Sequence, residues 1–262
     1  MRNFKTLALA ASIALLFAAQ AAYSSTRELS EATARVNESI GRQIGDHTLV
    51  DQDGREFGLK ELAGRPVVIS YVYTGCAHVC PAIVARLRGV FESSGGDFGT
   101  RFTALTIGFD AENDTPSAMR AYGKNFTDDF GAWRFAAADE QTIKALTGEL
   151  GFYYEKRADG GFDHLNLVTV VSGEGKVAGQ VFGTNFDREA LMEAIRRSYE
   201  PGAPALTRPV GIIDRVKLFC YRYDENTGEY RLDFGAVTAL TAVTATQLVV
   251  IGWIVRIIFK KT

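Results

Sequence analysis

Tyr71–Pro81 reads YVYTGCAHVCP, and this stretch decides the fold. Just upstream, Pro66–Tyr73 is apolar or aromatic except for Ser70, the pattern of a strand covered on both faces. The run breaks at Thr74–Gly75 and then delivers Cys76 and Cys80 four residues apart, with His78 between them. Pro81 suits the first turn of a helix, where its missing N–H removes no intrahelical bond. Ile83, Val84, Leu87, Val90 and Phe91 then recur at helical spacing. A strand, a turn and a helix start therefore present two sulfurs on one helical face. His78, two positions from each cysteine, points away from both and is expected to be exposed or to flank the pair.

At a helix N-terminus the free N–H groups and the macrodipole favour a thiolate. Three uses of the pair are open from its spacing: a redox couple, a static disulfide, or chelation of a soft metal. Histidine is scarce, with three in the chain: His47, His78 and His164. His164 follows Asp163 and the glycine-containing loop Arg157–Phe162, at the mouth of an expected strand. Two thiolates and one imidazole form a set of two sulfurs and one nitrogen. Soft sulfur selects Cu(I) and the imidazole also accommodates Cu(II), whereas zinc prefers four tetrahedral ligands. His47 precedes the first expected hairpin and carries no evident chemistry.

The ends of the chain read as targeting signals. Arg2 and Lys5, the apolar Leu7–Ala19 and the A-x-A site Ala19–Gln20–Ala21 predict a cleaved signal peptide over residues 1–21. Export places the pair in an oxidising compartment. At the other end, Phe234–Val255 carries no charge and is followed by Arg256, Lys260 and Lys261. That length predicts a transmembrane helix over 234–259, with its flanking cations in the cytoplasm. The expectation is a single-pass protein of a bacterial inner membrane with its main domain in the periplasm. The formal net charge of −2 and the lack of a basic stripe argue against nucleic acid. With three cysteines in 262 residues the chain is no disulfide-stapled scaffold. It has no glycine-rich phosphate loop, no H-E-x-x-H and no serine nucleophile elbow with a triad.

Between these ends the elements alternate. Thr48–Gln52 and Glu56–Leu59 flank an Asp53–Gly54 turn and predict a hairpin. Arg101–Phe109 is a second core strand, and Asp114–Thr115–Pro116 opens a helix running to about Lys124. Trp133–Phe135 is a short strand, Asp139 starts another helix, and Gly151–Lys156 is extended. Asn166–Val171 and Lys176–Phe182 form a second hairpin, and Asp187–Ser198 a last helix. The expected architecture is an α/β thioredoxin-like sandwich with an N-terminal hairpin, an inserted hairpin and a C-terminal transmembrane helix. Residues 22–42 form a lead-in, 43–199 the domain, and 200–233 a linker and juxtamembrane segment with a hairpin around Asn226–Thr227–Gly228. Asp110 and Asp114 read as carboxylates at a helix start, with Asp110 also placed at a strand end near the pair. Cys220, in LFCYRYD, reads as an inert cysteine or as a third thiol that exchanges with the pair or passes metal.

Taken together, YTGCAHVCP at Tyr73–Pro81, FDAENDTP at Phe109–Pro116 and Asp163–His164 before a strand resemble the Sco/SenC family of membrane-tethered, thioredoxin-fold copper proteins. TLVDQDGREFGLKELAGRPVV at Thr48–Val68, Trp133–Phe135 and FGTNFDREAL at Phe182–Leu191 extend the likeness over about residues 43–198. The resemblance implies that Cys76, Cys80 and His164 ligate one copper ion, Cu(I) or Cu(II), and that Asp110 lies near it. It implies a part in assembling the copper centre of a respiratory haem–copper oxidase, by donating copper or by reducing the acceptor's cysteines. A periplasmic copper donor or thiol reductant would then be a further partner. Leu218–Asp224 with the following apolar segment resembles a C-terminal extension of a bacterial branch. Ala77–His78 departs from the Pro-Asp that common members carry after the first cysteine.

Two chemistries thus compete for the pair, copper transfer and thiol–disulfide exchange with an exported protein. A peroxidase is poorly served, because no threonine stands at the usual position upstream of Cys76.

Overall fold

The computed structural model describes residues 34–158, 160–200, 221–224 and 229–232, together with 238 and 241. The chain divides into two units, Ala32–Pro209 and a second comprising Met1–Glu31 with Val210–Thr262.

In the first unit a helical segment at 34–39 leads to the hairpin of β1 (Thr48–Asp51) and β2 (Glu56–Gly58). There follow β3 (Val67–Val72), α1 (Val79–Glu92), β4 (Thr103–Gly108), α2 (Pro116–Gly123), β5 (Trp133–Ala137) and α3 (Glu140–Glu149). The strands β6 (Tyr154–Lys156) and β7 (Phe162–His164) form a small antiparallel ribbon of their own. The hairpin of β8 (Leu167–Val171) and β9 (Val177–Phe182) and the helix α4 (Arg188–Arg197) close the unit.

Seven strands make one sheet in the order β2-β1-β5-β4-β3-β8-β9. β3, β4 and β5 run parallel at its centre, and the two hairpins add antiparallel strands on either side. Every residue of β3 and β4 is buried, as their largely apolar runs predict. Val67, Ile69 and Tyr71 join Leu105, Ile107, Ile143 and Leu146 in one core, which places α3 over that face. On the other face Ser70 and Thr106 share a hydrogen bond of 2.9 Å, and Trp133 Nε1 donates to Thr106 Oγ1 at 2.8 Å. Phe91 of α1 packs edge-on against Trp133, with ring centroids 4.9 Å apart, so α1 covers this second face. Ser70 and Thr106 are thereby paired rather than orphaned.

Local chemistry sets the helix starts. Thr115, Asp139 and Asp187 each accept a backbone N–H from the first turn of α2, α3 and α4, a cap worth about 1 kcal/mol each. α1 differs: its N-cap residue His78 makes no side-chain cap. In the second unit, β10 (Tyr221–Asp224) pairs antiparallel with β11 (Glu229–Leu232), the hairpin expected around residues 226–228.

Two expectations are corrected. Among the described residues no helix is long and apolar enough to cross a membrane. The longest, α1, has 14 residues, or about 21 Å at 1.5 Å per residue, against a hydrocarbon core of about 30 Å. The transmembrane helix, and the single-pass periplasmic placement built on it, are therefore not carried further. The segment expected to span, 234–259, lies outside the described residues apart from 238 and 241, as does the expected signal peptide at 1–21. The second correction concerns the chain around His164: besides leading into β8 at Leu167, it ends a separate ribbon strand, β7, where His164 pairs with Tyr154.

Gly108 closes β4 where the chain must pass α2 at close range. A Cβ there would meet Asp114 Cβ at 2.6 Å and Met119 Sδ at 2.8 Å. Gly108→Ala is expected to lower stability by about 1–3 kcal/mol through overpacking, read as an earlier midpoint in urea unfolding.

Candidate metal and thiol site

The carboxyl ends of β3 and β4 meet at one edge of the central sheet, where Phe109 N–H donates to Val72 O at 2.9 Å. From β3 the chain turns through Thr74–Gly75, with Cys76 N–H donating to Tyr73 O at 3.0 Å. Cys76 is half-buried ahead of α1 and Cys80 is fully buried in its first turn. Both are free thiols. Cys80 N–H donates to Cys76 Sγ at 3.4 Å, so the sulfur takes the capping place that His78 leaves open.

The two thiols are electrically unlike. The Cys80 thiol donates to the Cys76 sulfur and holds its pKa at about 5, against an ordinary 9.0; burial opposes this, and the N–H groups of residues 78–80 assist it. Cys80, as the donor in that bond and buried beside a negative sulfur, is pushed well up. At neutral pH the pair is a half-exposed thiolate backed by a buried thiol, the division of labour found where cysteines react.

His164 reaches the same end of the sheet from β7. Its ring lies against Phe109, Phe152 and Tyr73, with centroids 5.4, 6.1 and 6.2 Å away. Nδ1 lies 3.2 Å from Leu165 O. A carbonyl oxygen only accepts, so Nδ1 carries the proton and Nε2 keeps its lone pair. Burial lowers the histidine pKa, against the carbonyl bond and the Cys76 charge, which both raise it. The imidazole is thus neutral and oriented, the form in which histidine binds metal. Among the described residues, no group of three or more His, Cys, Asp or Glu side chains is gathered closely enough to hold a metal ion.

The remaining candidates separate. His78 is exposed at the N-cap of α1, as its position between the cysteines predicts. The Asp110 carboxylate accepts from Asn113 Nδ2 at 2.8 Å and closes its own turn after β4. Cys220 lies outside the described residues. His47 is engaged elsewhere: its Nε2 meets Glu149 Oε2 at 3.0 Å and ties the residues just before β1 to α3.

Asp114 is the residue that sequence reasoning undervalued. The sequence offers Asp114 or Thr115 as the helix cap, and Thr115 is the one that caps. Asp114 is instead 1% exposed, and its Oδ1 accepts Thr74 N–H at 2.7 Å and Thr74 Oγ1–H at 2.8 Å. Its Oδ2 accepts Asp110 N–H at 2.9 Å. One carboxylate therefore binds the cysteine loop to the loop after β4. Burial raises its pKa, the three donated bonds notwithstanding.

The SCO1/SenC family model matches residues 37–200. The chain belongs to this family. A SCO2-like protein of Rickettsia felis is 27% identical over 139 residues, which are 50% of this chain and 65% of that protein. Just under two thirds of that relative's length is thus spanned. The structure of Bradyrhizobium japonicum ScoI with copper bound superposes with a TM-score of 0.51 at 26% identity, covering 59% of this chain and 98% of that one. BsSco, described as a member of the Sco family of cytochrome c oxidase assembly proteins, superposes at 0.54 with 19% identity, covering 60% of this chain and 94% of that one, a likeness of fold. Family membership and the structure agree on an α/β thioredoxin-like domain whose cysteine pair starts the first covering helix.

Two outcomes test this account. Alkylation of Cys76 by iodoacetamide, followed in a Cys220→Ser background, should show its inflection at a pH of about 5. In Cys80→Ala the inflection should move to higher pH, because the main stabilising donor is gone. Asp114→Asn turns an acceptor into a donor facing Asp110 N–H, and should cost about 1–3 kcal/mol in urea unfolding. A raised folded pKa means that the folded state holds the Asp114 proton longer. The wild-type contribution of this group therefore declines as pH rises out of the carboxylate range, and Asp114→Asn should lose that dependence.

Proposed function

We propose that this protein is a copper chaperone that takes Cu(I) or Cu(II) as cargo on Cys76, Cys80 and His164. The observation that carries the reading is the arrival of a thiolate, a second thiol and a neutral imidazole with a free Nε2 at one end of the sheet. Two soft sulfurs and one imidazole suit copper in both oxidation states. Family membership and the copper-bound Bradyrhizobium relative support the choice of metal. The acceptor proposed is an oxidase subunit whose copper centre is being assembled, in line with the role by which BsSco's family is described. Transfer would proceed by attack of an acceptor thiolate on the held ion, with ligands exchanged one at a time. A copper donor on the supply side completes the partner set.

Thiol–disulfide exchange with the same acceptor is the second reading. It is favoured by the inequality of the two thiols, an accessible thiolate ahead of a buried one, which is the arrangement of a reducing pair. The two readings share residues and differ in their need for His164.

Anaerobic titration of the reduced protein with Cu(I) against a competing chelator decides between them. One copper per chain is expected, and His164→Ala should weaken binding more than about tenfold, roughly 1.4 kcal/mol. Binding should also weaken as pH falls, because the ligands must be deprotonated. Unchanged affinity in His164→Ala removes the three-ligand site and leaves the thiol reading.

A further inference from the structure

His164 is carried by the ribbon of β6 and β7, three residue pairs that stand outside the seven-stranded sheet. A two-stranded ribbon of this length has little stability of its own, so its place is set by what it is tied to. Tyr154 pairs with His164 and Lys156 with Phe162, and strand alternation puts these four residues on one face. Glu155 and Asp163 lie on the other face, and both are exposed. Three of the four rest on the Phe109 ring, just past the end of β4: Tyr154, Phe162 and His164 have centroids 5.0, 5.3 and 5.4 Å from it. Apolar burial is non-directional, so it holds the ribbon down without fixing its place along the surface. The fourth, Lys156, reaches three residues beyond Phe109 and donates from Nζ to Glu112 Oε2 at 2.8 Å. Glu112 stands in a tight loop, where Asn113 N–H and Asp114 N–H both donate to Asp110 O, at 2.9 and 2.7 Å. The Asp114 carboxylate of that loop takes both donors of Thr74, in the turn before Cys76. A path of directional contacts therefore runs from the ribbon to the cysteine turn.

We propose that Lys156 and Glu112 are positioning residues for His164, their ion pair being the latch that fixes the ribbon against the loop holding the cysteine turn. His164 and the two cysteines come from separate elements, and a site built from two pieces works only when both are held in one frame. The latch supplies that frame on the side of the ribbon, and Asp114 supplies it on the side of the cysteines. Lys156 and Glu112 are both exposed, so their attraction is modest and is screened by salt. Copper affinity should therefore carry an ionic-strength dependence that traces to this one pair. The proposal rests on the copper reading above, in which Cys76, Cys80 and His164 take the ion together. Lys156 also feels the charges of Asp110 and Glu140, so the control variant keeps its positive charge with arginine instead of reversing the pair.

The test uses the full chain, reduced and free of metal, with diethyl pyrocarbonate at a single-hit dose and peptide mapping to read modification at His164. Glu112→Gln and Lys156→Gln should each speed that modification about two- to fivefold, the range of one exposed ion pair. The double variant should be no faster than either single one, because the two residues act as a unit. Lys156→Arg should keep the wild-type rate. Raising the ionic strength to about 1 M, where the Debye length is about 3 Å, should bring the wild type up to the variants and leave them unmoved. Titration of the same proteins with Cu(I) should show affinity lowered by the same factor in both single variants. In a His164→Ala background Glu112→Gln should cause no further loss. His164 reacting at the wild-type rate in both single variants, or additive effects in the double one, overturns the latch. Faster reaction without loss of Cu(I) affinity overturns its positioning role. Wild-type Cu(I) affinity in His164→Ala alone overturns the three-ligand reading and the proposal with it, an outcome distinct from any change in His164 reactivity.

Discussion

The structure around the cysteines depends on one buried carboxylate. Asp114 accepts both donors of Thr74 on one oxygen and the Asp110 N–H on the other, and so joins the loop after β3 to the loop after β4. A carboxylate that is 1% exposed is tolerated only because its lone pairs are filled. The same bonds fix the turn that places Cys76 at the start of α1. Gly108 is part of this arrangement, since a side chain there would occupy the space of Asp114 and Met119. A constraint between two loops thereby becomes a constraint on the position of a sulfur.

From that position follows the asymmetry of the pair. α1 lacks a capping side chain, and its exposed N–H groups are answered by the Cys76 sulfur. Cys76 is stabilised as a thiolate chiefly by the Cys80 thiol, and the same bond keeps Cys80 protonated. His164 arrives as a neutral imidazole because burial among the surrounding rings outweighs the hydrogen bond that Nδ1–H donates to Leu165 O. A neutral imidazole is the form that copper binding would need, and a thiolate ahead of a buried thiol is the form that thiol exchange would need. The two proposed chemistries draw on these same groups.

Much of this was legible along the chain. The apolar runs of β3 and β4, the break at Thr74–Gly75 and the helical recurrence after Pro81 are local signals, and the strand–turn–helix they announce is present. The scarcity of histidine singled out His164, although the short strand that it ends carried no such signal. The ribbon of β6 and β7 pairs three-residue strands, too short for periodicity to register. D-T-P at a helix start offers two capping residues, Asp114 and Thr115, and only geometry chooses Thr115 and frees Asp114 to hold the cysteine loop.

By itself, then, the sequence determined the alternation of strands and helices, the burial of the central strands and the presence of two thiols at a helix start. Those properties follow from residue type and spacing within a few turns of chain. Tertiary structure decided which thiol is ionised, which nitrogen of His164 is free, and which aspartate governs the loop. Each of these depends on groups far apart in sequence, such as Thr74 with Asp114 and Tyr73 with His164, that meet only when the sheet brings its strand ends together.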